Sequence, residues 1–381
     1  MLSRTKLKEL ALKTPPSRDR FIDFVRAFSI VVVVIGHWMS ILIVRSDTGV
    51  DFRNAVGAIP GMWALTWILQ VMPLFFFVGG FSNFVTLRSF RKKGKSFGAF
   101  IRTRAIRLFK PTLIFLVIWL IPFLTIILFF REHVWLVKTS IVIISPLWFL
   151  AVYIGIVLFS PIMYWLHLRL RLLIPILLLM LVILVDLLRF AFGVPFIHWL
   201  NIAFVWFFIH QMGFFYADRS LLQAPRWLHA VMAIGGLAGL TILTNIGIYP
   251  RSMVGTGFEE LSNMSPPTVC IIILTFWFIG LFLLLRDRLS RWLSGERPWM
   301  SVIAANTMIM TLYLWHLLAY AIAYIVLHPI GLGRGIENKA LWWLERPIWI
   351  IIPALILAIF AAIFGRFEHV RKKQVRVGKR G

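Results

Sequence analysis

The stretch Arg20-Phe-Ile-Asp23-Phe-Val-Arg26-Ala-Phe-Ser-Ile-Val-Val-Val-Val-Ile-Gly-His37-Trp-Met-Ser40 decides how the rest of the chain is read. Between Arg26 and His37 every residue except Ser29 and Gly36 is Ala, Phe, Val or Ile. Residues 24–44 supply the roughly 20 mostly apolar positions that a helix needs to cross a hydrocarbon core about 30 Å thick. In lipid, only helices and closed barrels satisfy every backbone N–H and C=O. The stretch therefore reads as a spanning helix, but one that carries Asp23, Arg26 and His37. An ionisable group at membrane depth costs from about 2.5 kcal/mol upward, so each asks for a reason. At about 100° per residue, the path from Arg26 to His37 exceeds three whole turns by only about 20°. Asp23, Arg26, His37 and Ser40 thus share one face.

Outward from this helix the same composition recurs. Of 381 residues 60% are hydrophobic and 14% charged, against roughly 45–50% and about 25% in soluble chains. Soluble globular, disordered and secreted disulfide-rich classes are excluded. Nine further segments are long and apolar enough to span: 63–85, 112–130, 147–166, 173–190, 198–216, 228–248, 267–285, 301–327 and 347–365. The expected fold is an all-α integral membrane protein of about ten transmembrane helices. Residues 1–23 form a basic tail, 24–366 the membrane domain and 367–381 a second basic tail. No cleavable leader is visible, so the first span is expected to direct its own insertion.

The net charge of +25 would point to nucleic acid in a soluble protein. Here alternating the ten spans places 31 of the 40 Lys and Arg on one side and nine on the other. By the positive-inside rule the N- and C-termini are cytoplasmic, in a multi-pass protein of the cell membrane, and no nucleic-acid partner is expected. A single cysteine, Cys270, allows neither an intramolecular disulfide nor a Cys-based metal site, and no metal is expected.

A second polar stripe lies in Asn306-Thr-Met-Ile-Met-Thr-Leu-Tyr313-Leu-Trp-His316-Leu-Leu-Ala-Tyr320. On a continuous helix Asn306, Tyr313, His316 and Tyr320 fall within about 80° of one another. His316 sits roughly 22 Å from the basic end of its span and His37 roughly 20 Å from the same end of its own, so the two imidazoles should lie at matching depth. Interhelical packing alone would explain either histidine; two stripes at one depth favour a cavity. Asp186 and Arg189, three residues apart, are expected to neutralise each other. His210 and Gln211 read as capping or packing groups. Gly79 and Gly80 permit close helix approach, or passage of a bound chain. Arg102, Arg104, Arg107 and Lys110 form a basic run leading into the third span. Insertion topology and anionic lipid explain much of that charge, but the ordered spacing also suits phosphate oxygens, which arginine forks bind in fixed geometry.

Familiar catalytic motifs are missing: there is no Gly-x-Gly-x-x-Gly, His-Glu-x-x-His or Walker A sequence, and no histidine is followed by Asp at the fifth position. With no serine elbow or thiol near it, His37 is most simply a general base acting directly.

Taken in order, Asp23-Phe-Val-Arg26 with His37 eleven residues on, Met72-Pro-Leu-Phe-Phe-Phe-Val-Gly-Gly80-Phe, Arg104-x-x-Arg107-Leu, Pro146-Leu-Trp148-Phe-Leu and Leu312-Tyr-Leu-Trp-His316 resemble the acyltransferase 3 family of polytopic membrane proteins, from about Arg20 to Phe367. The resemblance implies transfer of acetyl or another short acyl group from acyl-coenzyme A, a cosubstrate and not a resident cofactor, to a hydroxyl of an envelope glycan, glycolipid or small molecule. It implies that His37 is the catalytic histidine, Arg26 its signature partner, and Arg104 and Arg107 part of a donor-binding motif. His316 stands at the family's frequent Tyr-Leu-x-His position. Where many members have Phe-Phe-x-Ser-Gly, this chain has Phe77-Val78-Gly79-Gly80, so a role for that serine does not carry over. The Gly-Gly-Phe-Ser-Asn form resembles a branch common in actinobacteria.

The expected site is then His37 with Arg26 and Asp23 at the chemistry and the inner mouth, Arg102, Arg104, Arg107 and Lys110 on the donor, and His316, Tyr313, Asn306, Ser40, Gly79 and Gly80 lining the cavity for the acceptor. Direct attack by the acceptor and a two-step route through an acylated His37 use the same residues. A carrier that moves a lipid or solute without covalent chemistry is the rival reading. A sensor in which the histidines only pack helices is a third.

Overall fold

The computed structural model describes residues 4–46, 49–130, 132, 134–256, 261–333 and 339–368; residues 369–381 of the expected C-terminal tail lie outside them. Among the described residues ten helices are long and apolar enough to cross a membrane: Arg20–Ser40, Trp63–Lys92, Phe97–Phe129, Leu136–Leu170, Leu173–Phe190, Ile197–Ala217, Arg226–Asn245, Val269–Trp292, Ile309–Ile330 and Lys339–Glu368. The expected all-α class and the number of spans both hold. In each the apolar side chains face lipid or neighbouring helices while the backbone closes its own hydrogen bonds, as a medium without water requires.

Four boundaries differ from expectation, each for a local reason. The first helix stops at Ser40, and Ile41–Ser46 pairs antiparallel with Gly49–Asn54 in a hairpin; the run of β-branched residues that reads as helix to 44 is equally suited to a strand. The third helix begins at Phe97, not 112, because Ser96 caps it by accepting from Ala99 N at 3.2 Å. The basic run is therefore helical, and its residues have a fixed angular order. The fourth span is lengthened on its N-terminal side by a short helix, Val134–Ile144, before the Pro146 turn. The ninth expected span is broken: one helix ends at Thr307, another starts at Ile309, and Met308 between them leaves helical geometry at φ −127° and ψ 18°. The new N-terminus is capped by Glu368, whose carboxylate accepts from both the backbone N–H and the hydroxyl of Thr311.

The first span is central, with 61% of its most apolar window buried against 17% for the third. Two glycine crossings draw neighbouring helices together. A Cβ on Gly80 would stand 2.0 Å from His210 O, and one on Gly213 would stand 2.1 Å from Phe77 O, so the second and sixth spans meet backbone to backbone. Gly236 and Gly280 do the same for the seventh and eighth, against Trp277 N at 2.5 Å and Ala233 N at 2.4 Å. Asp186 and Arg189 interact electrostatically, as the sequence suggests, and Asp186 has further partners. Its carboxylate accepts from Asn201 Nδ2, Tyr249 OH and Val269 N at 2.8, 3.1 and 2.9 Å. It ties together three other segments, and Arg189 also lies over the Phe190 ring.

Candidate functional site

His37 and His316 come together at mid-bundle with ring centroids 4.9 Å apart. The Trp38 indole N–H donates to His316 O at 3.0 Å, clamping the first span to the ninth beside the two rings. His37 Nδ1 lies 2.9 Å from Val33 O and His316 Nδ1 lies 2.7 Å from Tyr313 O. A carbonyl only accepts, so in both rings the hydrogen belongs on Nδ1, and Nε2 keeps its lone pair. His316 is fully buried and its Nε2 has no partner. His37 lines a cavity of about 240 Å³ that runs from Val33, Met72 and Phe149 past Leu65, Leu69 and Met39 to Ser40, Asn54 and Val254 at the end remote from the arginines. Ser40 donates to His37 O at 3.1 Å and forms part of the same wall.

A second cavity, of about 120 Å³, is lined by Arg26, Arg104 and Arg107 with Ser82, Tyr153, Gly79 and apolar residues; among the described residues no carboxylate lines it. Arg26 donates to Ser82 Oγ at 2.6 Å and pairs with Asp23 at 3.5 Å. Arg104 donates to Ser82 O at 2.6 Å and Thr86 Oγ1 at 2.7 Å, which fixes its fork, while its Nε is buried without a partner. Arg107 makes no hydrogen bond among the described residues and lines a third cavity as well, of about 340 Å³, together with Arg18, Lys13, Asn306 and Glu368. Three guanidinium groups around a space free of carboxylates make a site for an anion, and planar forks suit phosphate or carboxylate oxygens.

The three cavities lie in series. The third and second share Arg26, Arg107, Ile309 and Met310. The second and the histidine cavity share Phe149 and Tyr313. These two rings pack edge to face at 5.6 Å, and the Tyr313 hydroxyl donates to Pro146 O. The three do not form one open tunnel; they are compartments, and the second and the histidine cavity meet at an aromatic wall.

Most of the expected residues converge on this series, and some do not. His37, Ser40 and Tyr313 border the histidine cavity, Gly79 and Arg104 the arginine cavity, and Arg26 and Arg107 both it and the innermost one. Asp23 is held by Arg18 and Arg26 at the inner mouth, out of contact with His37. Asn306 belongs to the innermost cavity and donates to Asp23 O at 2.8 Å; the break at Met308 removes it from the His316 face. Gly80 lies in the helix crossing and His316 is fully buried behind the His37 ring; contrary to expectation neither lines any of the three. Arg102 and Lys110 are exposed on other faces of the third helix and likewise line none of them. Sequence reasoning missed Ser82, Tyr153, Phe149, Gln70 and Glu368. Gln70 lines the histidine cavity with its amide nitrogen unpartnered among the described residues. Tyr153 takes the room left by Gly79, whose Cβ would stand 2.7 Å from Tyr153 Cε2.

Comparison with known proteins gives one match: a family model described as "Acyltransferase domain" (Acyl_transf_3) covers residues 19–366. Neither the curated proteins nor the solved structures contain a match to this chain.

Proposed function

The chain belongs to the acyltransferase family matched over residues 19–366, and on that premise we propose that it moves a short acyl group, acetyl in the simplest case, from acyl-coenzyme A to a hydroxyl of a cell-envelope glycan or glycolipid. The basic end, with both termini, is assigned to the cytoplasm by the partition of Lys and Arg. The donor's phosphates dock on Arg107 and Arg104, with Arg26 and its Ser82 and Asp23 partners holding the inner mouth. The pantetheine arm passes where Phe149 and Tyr313 now meet, which brings the thioester to His37. Membrane lipids surround the bundle. No resident cofactor takes part.

At the thioester, His37 Nε2 takes the proton of the acceptor hydroxyl as its oxygen attacks the thioester carbonyl carbon. The new C–O bond forms, the C–S bond breaks, and the coenzyme A thiolate leaves with the proton carried by His37. The Nδ1–H bond to Val33 O holds the ring in the tautomer this needs. Acylation of His37 followed by transfer would use the same geometry. The observation carrying the reading is an unpartnered imidazole nitrogen in a cavity that backs, across two rings, onto a carboxylate-free arginine cavity. Mass spectrometry of envelope glycans and lipids from cells with and without the gene tests it. One acyl increment should vanish from one component in the deletion and return with wild-type protein but not with His37→Ala. An unchanged profile would speak against it.

A further inference from the structure

The walls of the histidine cavity are chemically lopsided. Met39, Met62, Met72 and Met264 line it with Val33, Val56, Leu65, Leu69 and Val254, and among the described residues no Asp, Glu, Lys or Arg does. Its polar groups are mostly engaged by the protein itself. The hydroxyls of Ser40, Thr66 and Tyr313 donate to the carbonyls of His37, Trp63 and Pro146. Thr66 also accepts from Met253 N. Asn54 donates to Gly255 O and accepts from Val56 N, and Gln70 Oε1 accepts from Met72 N. Among the described residues this leaves His37 Nε2, the Gln70 amide nitrogen and the Trp148 indole N–H without partners. That is enough to orient one hydroxyl. It is too little for a polyol, because every buried hydroxyl without a partner carries a desolvation penalty. Methionine is the side chain that best fits an irregular or variable apolar guest.

We infer that the acceptor is a hydroxyl carried on hydrocarbon, a lipid-like alcohol whose apolar part lies among these methionines, and not a bare sugar. This rests on the acyltransferase reading and narrows its acceptor. A dry apolar cavity of about 150 Å³ takes up benzene, so a space of about 240 Å³ holds about eight to ten carbons. An acyl chain long enough to fill that volume would leave no room for an acceptor beside His37. The occupant is therefore the alcohol, and the acyl group stays short.

The test uses purified full-length protein in nanodiscs with acetyl-coenzyme A and a series of primary alcohols from butanol to dodecanol, alongside methyl glucoside, with ester product measured by mass spectrometry. The expected kcat/KM rises about fourfold per methylene, the increment for burying one CH₂, levels off near eight to ten carbons, and is at least a hundredfold lower for methyl glucoside. Leu69→Phe should move the plateau two to three carbons shorter. Met39→Phe serves the same purpose if the first variant is not recovered folded. A profile independent of chain length, or a plateau unmoved in a folded variant, would overturn the assignment. So would a rate that climbs with the acyl chain from acetyl to octanoyl, since the cavity would then belong to the donor. Ester on the glucoside with none on any alcohol sinks this inference and leaves the acyltransferase standing; no ester and no coenzyme A release with either class sinks both.

Discussion

Single residues divide here into those that hold position and those left free to act. Arg104 has its fork fixed by Ser82 and Thr86, whereas Arg107 stands between two cavities with no hydrogen-bond partner among the described residues. Arg107→Gln should therefore raise the KM for acyl-coenzyme A about tenfold to a hundredfold, the worth of one charge-assisted hydrogen bond, with kcat little changed. Steady-state kinetics with varied donor would show it, and an equal fall in kcat would place Arg107 at the chemistry instead. His37 and His316 were legible in the sequence because helical pitch sets depth and phase, and Arg104 with Arg107 through their ordered spacing and the family resemblance it carries. Ser82 and Tyr153 were not. A hydroxyl that meets Arg26 across 56 residues leaves no local spacing to read.

Helices carry their own lesson. Composition marks every span, since only long apolar runs avoid the penalty of exposed backbone in lipid. It does not mark how a span begins or breaks. The Ser96 hydroxyl caps one helix by accepting from Ala99 N, the Glu368 carboxylate caps the helix that restarts after Met308, and that interruption takes Asn306 away from the face where uniform pitch puts it. Glycines adjacent in sequence have separate roles. At Gly80 an added methyl meets the His210 backbone, and at Gly79 it meets the ring edge of Tyr153, which can swing aside. Gly80→Ala should lower the thermal midpoint by several degrees and reduce the monodisperse yield, since the second and sixth helices must part. Gly79→Ala should cost less stability and act mainly on donor turnover. Fluorescence-detected size exclusion after heating separates the two, and equal losses would contradict the distinction.

At the scale of the whole molecule, three cavities in series lead from a basic mouth to a histidine pair, and an aromatic wall divides them. Under the proposed function, such a division would keep a cytoplasmic thioester from an outer alcohol until the donor arm displaces Phe149 and Tyr313. In the absence of acceptor, hydrolysis of acyl-coenzyme A should accordingly be slow, and Phe149→Ala, by opening the wall, should raise that idle release of coenzyme A severalfold. No rise in a folded variant would mean that the wall does not restrain the donor. The account's central claim is that His37 is the base that moves the proton. Its most direct test is the acceptor-dependent release of free coenzyme A by purified wild-type and His37→Ala protein in nanodiscs. The account predicts a loss of at least a hundredfold in the variant, with donor binding and thermal midpoint kept; turnover at the wild-type rate would contradict it.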